Sequence, residues 1–143
     1  MTAAAGLFAL DARLAADTLP VAQLALCEVR LLDDARFGWL VLIPRRAALQ
    51  EIFDLDADAR MQLLAELDLA AAALHAELPG DKFNVGALGN VVRQLHVHLV
   101  ARRIGDAAWP GPVWGHGTRI PYTPTAGKAL CAALRQRLTT STE

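Results

Sequence analysis

In the segment Gln94-Leu95-His96-Val97-His98-Leu99-Val100, polar and apolar side chains alternate from Gln94 through Leu99. Successive side chains of a strand point to opposite faces, so the pattern predicts a strand over 92–102. Gln94, His96 and His98 then share one face, and Leu95, Val97 and Leu99 the other. A chain carrying such a strand has to cover its apolar face with another layer and leave the histidine face to chemistry.

The remaining segments supply that sheet and its cover. A short helical pattern over 10–17 is broken by Thr18-Leu19-Pro20, because proline disfavours helix at the residue before it. Cys27, Val29 and Leu31 alternate with Glu28 and Arg30, which predicts a half-buried strand within 21–32. Asp33-Asp34 supply turn chemistry after it. A second strand over 37–43 ends at Pro44-Arg45-Arg46, where proline cannot donate to a ladder, and the two strands make a hairpin. Over 56–78, Met61, Leu64, Leu67, Ala71 and Leu74 recur at helical spacing. Asp56 serves as N-cap, and Pro79-Gly80 stop the helix. A third strand starts near Lys82 and is interrupted at Gly86, Gly89 and Asn90. The stretch 107–122, rich in Gly and Pro, reads as an ordered loop, and Thr123-Pro124 open a final helix to about Leu138.

The expected architecture is therefore α+β: an antiparallel sheet of about five strands, the long helix on one face, a C-terminal helix, and the histidine face open to ligand. At 143 residues, 54% of them hydrophobic, the chain forms one domain, 1–143, with a single core. The net charge of −1 points to neither nucleic acid nor membrane as the main partner. The apolar start is not preceded by a basic residue and is cut short at Asp11 and Arg13, unlike a signal peptide. Cys27 and Cys131 lack metal-ligand spacing and read as reduced, buried thiols, so the expected location is the cytoplasm.

Two imidazoles one strand repeat apart can address the same small anion, and an unperturbed ring, with a pKa near ~6.5, is largely unprotonated at neutral pH. By itself the pair fits a nucleophile, a pair of metal ligands or plain packing. Upstream, Asn84-Val85-Gly86-Ala87-Leu88-Gly89-Asn90 carries two glycines that expose backbone N–H groups, suited to an anion or to a tight turn.

These residues resemble the histidine triad (HIT) superfamily, whose signature alternates three histidines with apolar residues. Gln94 replaces the first histidine, giving Q-x-H-x-H. Leu42-Ile43-Pro44, the long helix, Asn84 to Gly86 and the motif strand follow in the family's order, over about 24–103; a loop and helix follow at 104–143. The resemblance implies a nucleotide-binding hydrolase or transferase acting at the α-phosphorus of a phosphoramidate or dinucleoside polyphosphate. His96 is then the nucleophile that forms a nucleotidyl-histidine, His98 holds the phosphate, and Gln94 supplies a main-chain carbonyl to orient His96. Gln94 cannot titrate, and Val91 stands where many members carry a Ser or Thr, so a non-catalytic nucleotide-binding module is the rival reading.

The same resemblance implies that Asp33, or else Asp34, takes the ribose hydroxyls, with Leu31 and Phe37 beside the base. Asn84, Gly89 and Asn90 are the other nucleotide-binding candidates. It further implies a homodimer, and the scheme requires no cofactor or metal. His116, between two glycines, is open to a substrate or to a zinc site with His96 and His98. Trp109 and Trp114 are candidates for an aromatic platform, Arg45 and Arg46 for phosphate contacts, and His75 for a helix-end role.

Overall fold

The structure, a computed structural model, describes residues 6–140. Five strands form one antiparallel sheet in the order β1-β2-β3-β5-β4: β1 Thr18–Gln23, β2 Cys27–Leu32, β3 Gly38–Pro44, β4 Lys82–Gly86 and β5 Val97–Arg102. Among the described residues three α-helices accompany it, α1 Ala12–Asp17, α2 Ala57–Glu77 and α3 Pro124–Thr140, with one turn of 3-10 helix at Ile52–Asp54. The α+β class, the single sheet and the helical cover agree with the expectation.

The two faces of the sheet bury different things. On one side Val29, Leu31, Leu40, Leu42, Val97 and Leu99 meet α2 and α3 through Leu63, Leu74, Leu134 and Leu138. On the other, Trp39, Val41, Ile43 and Val100 pack with Leu14 of α1 and with Phe37, Ala108 and Val113. Alternation along β5 divides it between the two: Val97, Leu99 and Ala101 belong to the helix side, while His98 and Arg102 lie with Val100 on the other.

Three differences from the sequence reading have physical causes. First, the apolar stretch 21–32 is two strands, β1 and β2, reversed at Leu24-Ala25-Leu26. The reversal is held from a distance, because the buried Glu66 carboxylate of α2 accepts the N–H groups of Leu26 (2.9 Å) and Cys27 (2.7 Å). Second, that same carboxylate decides which face of α2 is inward. Ala59, Leu63, Glu66, Ala70, Ala73 and Leu74 are buried; of the expected face, Leu74 is buried and Leu67 and Ala71 pack against the core, whereas Met61 is 70% and Leu64 63% exposed. Third, the motif strand begins at Val97 instead of residue 92. β4 ends at Gly86, opposite His98, and pairing with β3 stops at Val97–Leu42, beyond which the Leu95 N–H goes to the Leu49 carbonyl instead.

Among the described residues, no helix is long and apolar enough to cross a membrane. Cys27 and Cys131 are both free and buried. Burial, with Glu66 nearby, pushes the Cys27 thiol well above its usual range.

Candidate active site around His96 and His98

His98 sits on β5 opposite Val41 of β3 and Gly86 of β4, and His96 lies in the lead-in to that strand. Their rings are 4.9 Å apart, centroid to centroid, and edge-on. Each ring is fixed at Nδ1, in opposite senses. His96 Nδ1 is 2.7 Å from the main-chain oxygen of Gln94; a carbonyl only accepts, so Nδ1 carries the proton and Nε2 of the neutral ring holds a bare lone pair. His98 Nδ1 accepts from Trp39 Nε1 at 3.0 Å; an indole only donates, so the neutral ring carries its proton on Nε2. One imidazole offers a lone pair and the other an N–H.

Both histidines are more than nine-tenths buried, unlike the open face expected from the sequence. Burial, with His96 alongside, lowers the His98 pKa from 6.5 to about 4, which keeps that ring neutral at physiological pH. Trp39 and Trp114 both lie edge-on to His98 at 5.6 Å and to each other at 6.0 Å. The Trp114 ring stands over Gly86, where a Cβ would come within 3.2 Å of it, so a larger residue there would push the ring back by a few tenths of an ångström.

The histidines open on a cavity of about 340 Å³ bounded by Leu32, Val41, the Leu88 to Val92 loop and α1, which contributes Arg13, Leu14 and Asp17. Gly89, at φ +68°, turns that loop through a conformation that favours glycine. A second cavity of about 360 Å³ shares Arg13, Asp17 and Leu32 and continues past Trp39 to His116 and Arg119. The side chain of Gln94 does not enter either space. Its Oε1 accepts from the Asp11 N–H at 2.8 Å and its Nε2 donates to the Ala9 oxygen at 2.9 Å, joining the motif to the segment just before α1.

The HIT domain family model matches residues 13–105, well over half of the chain, including every element that lines the histidine cavity. The chain belongs to the HIT domain family. Three solved HIT structures are similar over nearly its whole length. One, a histidine triad protein from Sinorhizobium meliloti 1021, is 45% identical, with 91% of this chain and 96% of that one covered and a TM-score of 0.88. Another from Bradyrhizobium japonicum is 42% identical (93% and 99% covered, TM-score 0.89), and a third from Marinobacter aquaeolei VT8 is 41% identical (94% and 98%, TM-score 0.90). A comparison with curated proteins found no match. The HIT family includes nucleotide-binding hydrolases and transferases.

Within this HIT domain, His96, His98, Gly89 and Asn90 come together on one cavity. The remaining candidates are engaged elsewhere. Asp33 Oδ1 accepts from the Tyr122 N–H at 2.9 Å and lines neither cavity. Asp34 does line the second cavity, where it is buried in a two-pronged pair with Arg36 whose hydrogen bonds hold its carboxyl below the usual range against the cost of burial. It is Leu32 that faces the histidines, one residue earlier, because strand alternation turns Asp33 away. Leu31 points into the helix-side core and Phe37 lies under Arg36, so neither lines the histidine cavity.

Asn84 accepts from Arg102 at 2.9 Å, part of a buried cluster in which Arg102 is gripped by both oxygens of Asp106 and lies over Phe37 and Trp109. Trp109 thus covers Arg102, and of the two loop tryptophans Trp114 is the one at the histidines. Arg45 binds the Leu24 carbonyl beside the β1–β2 reversal, and Arg46 lies near Asp56. His75 accepts from the Gly80 N–H at the end of α2. His116 rims the second cavity, and among the described residues no group of three or more His, Cys, Asp or Glu could hold a metal ion.

Sequence reasoning missed Arg13, Asp17 and Trp39. Trp39 had a readable signal, since alternation in Trp39-Leu40-Val41-Leu42-Ile43 puts Trp39, Val41 and Ile43 on one face. Nothing local announces that α1 closes the histidine cavity.

Proposed function

We propose that this HIT domain is a nucleotide-binding hydrolase or transferase that attacks the α-phosphorus of a nucleoside phosphate derivative, of the phosphoramidate or dinucleoside polyphosphate class, through His96. The observation that carries this reading is the 2.7 Å contact between His96 Nδ1 and the Gln94 carbonyl, which leaves Nε2 as a lone pair inside the cavity. In the first step the Nε2 lone pair forms a bond to phosphorus as the bond to the leaving amine or phosphate breaks, and the leaving group takes up a proton from solvent. The ring becomes a phosphorus-bonded imidazolium, whose remaining Nδ1–H points at the Gln94 oxygen. Water or another acceptor then attacks phosphorus and gives up its proton to solvent, returning the one taken in the first step, as the P–N bond breaks to restore neutral His96. His98 donates Nε2–H to a non-bridging oxygen as charge develops, and the backbone at Gly89 and Asn90 assists.

Rapid quenching with an adenosine phosphoramidate tests this reading: a nucleotidyl mass should appear on His96 and vanish in His96→Ala. Turnover that survives His96→Ala overturns it. A second reading, a non-catalytic nucleotide-binding module, is favoured by one observation: the Gln94 amide is spent on the Ala9 to Asp11 backbone, so the first triad position brings no titratable group to the cavity. Calorimetric binding of a nucleoside monophosphate without turnover of any substrate offered would select it. A cytoplasmic homodimer completes the proposal. Met61 and Leu64 on α2 and Val85 on the edge strand β4 are exposed apolar side chains that a second copy would cover, and light scattering gives the mass.

A further inference from the structure

We infer that Gln94 acts as a latch that seats α1 against the histidine cavity, and that Arg13, carried there by α1, is the residue that neutralises the phosphate of an anionic ligand. The ligand half of this inference rests on the nucleotide reading; the latch does not. The latch is visible as two hydrogen bonds from one amide. Gln94 Oε1 takes the Asp11 N–H and Nε2 gives to the Ala9 oxygen, the two-sided pairing that a neighbouring peptide group would make. Asp11 is in turn the N-cap of α1, its Oδ1 accepting from the Arg13 N–H at 2.8 Å and the Leu14 N–H at 3.4 Å. Leu14 is buried on the same side of the sheet as the histidines, which fixes the face that α1 turns inward. The chain of contacts therefore runs from Gln94 through Asp11 to the helix bearing Arg13. A histidine ring at position 94 has no donor and acceptor side by side on one planar group, so it could not grip both peptide groups in this way.

The charge argument is separate. His98 is held neutral, and among the described residues lining the histidine cavity Arg13 is the one lysine or arginine. Its partner is weak. Arg13 Nε lies 3.9 Å from Asp17 Oδ2, with the two side chains 65% and 46% exposed, a loose pair that an incoming phosphate displaces at small cost. Arg13 also borders the second cavity, so the guanidinium stands where the two spaces meet. A ligand with its phosphorus at His96 and its remainder along Leu32 and Trp39 passes that point. The nearby carboxylate of Asp17 turns away further negative charge and accepts from hydroxyl groups, which favours a phosphate attached to a polyol over free polyphosphate.

The test compares wild type, Gln94→Ala, Arg13→Ala and Arg13→Lys, with AMP and uncharged adenosine as probes in calorimetry and amide hydrogen exchange over 9–17 as a ligand-free measurement. Arg13→Ala should weaken AMP by about tenfold or more, the scale of one charge-assisted hydrogen bond, and leave adenosine unchanged. Arg13→Lys should recover most of the loss. Gln94→Ala should speed exchange over 9–17 while α2 stays protected, and should weaken AMP as Arg13→Ala does. Unchanged exchange over 9–17 in Gln94→Ala overturns the latch, and AMP affinity indifferent to Arg13→Ala overturns the charge assignment. If wild type binds neither probe, the nucleotide reading and the ligand half fall together, while the exchange result still decides the latch.

Discussion

Replacing His98 with asparagine should remove a defined part of the protein's acid sensitivity. In the folded chain burial, with His96 alongside, lowers the His98 pKa to about 4, against 6.5 for the free ring. The folded pKa is depressed, so above 6.5 both states hold the ring neutral and its contribution to stability is complete. As pH falls from 6.5 towards 4 the unfolded chain takes the proton first, and stability is lost throughout that window. A displacement of that size corresponds to about 3 kcal/mol by about pH 4, a large fraction of a typical domain's stability. Asparagine suits the comparison because its Oδ1 can take over from Nδ1 as acceptor for Trp39 while the side chain does not titrate. Urea unfolding of both proteins between about pH 7.5 and pH 4 gives two stability profiles, and their difference isolates His98 from the other acids and histidines. Wild type should fall more steeply by about 3 kcal/mol. Parallel profiles, or an NMR titration of His98 with a midpoint near 6.5, would refute the burial argument.

Other substitutions address the framework. Glu66→Ala strips the acceptor from the Leu26 and Cys27 N–H groups inside the core and should cost about 2–4 kcal/mol in urea unfolding, with Glu66→Gln recovering part of it. Asp106→Ala leaves the buried Arg102 guanidinium without its counter-charge and should destabilise by about 3–5 kcal/mol. Because Arg102 holds the Asp106 carboxyl down at about 2, that pair's contribution is present above the ordinary aspartate range and lost as pH falls from about 4 towards 2; acid unfolding of wild type and Asp106→Asn should diverge there. Gly89→Ala forces a Cβ into a left-handed turn at the cavity and should cost about 1–2 kcal/mol by thermal unfolding.

The sheet, the long helix and the pairing of His96 with His98 were legible because each is written as a local period. Alternation around His98, the N-cap at Asp56 and the stop at Pro79 need no knowledge of the rest of the chain. What was illegible is long-range. No glycine or proline marks the Leu24 to Leu26 reversal, which depends on a carboxylate some forty residues away. On α2, Leu74 is core as its spacing predicts, but the buried stripe also contains Glu66, whereas Met61 and Leu64 look like core and are exposed. Of the two aspartates after β2, Asp33 lines neither cavity and Asp34 lines the second, while a single step of strand alternation gives the histidine cavity to Leu32. Gln94 could be recognised as a departure from the triad; that its amide reaches back to Ala9 and Asp11 follows only from the closed fold.

The aromatic arrangement gives the molecule an optical property of its own. Each of its three tryptophans touches a functional or buried basic side chain: Trp39 and Trp114 meet His98, and Trp109 lies beside Arg102. Indole emission responds to the polarity and charge of what it touches, and an imidazolium is an efficient quencher. Near-ultraviolet fluorescence of the unlabelled protein therefore reads out events at the histidines directly, from proton uptake to the arrival of a ligand.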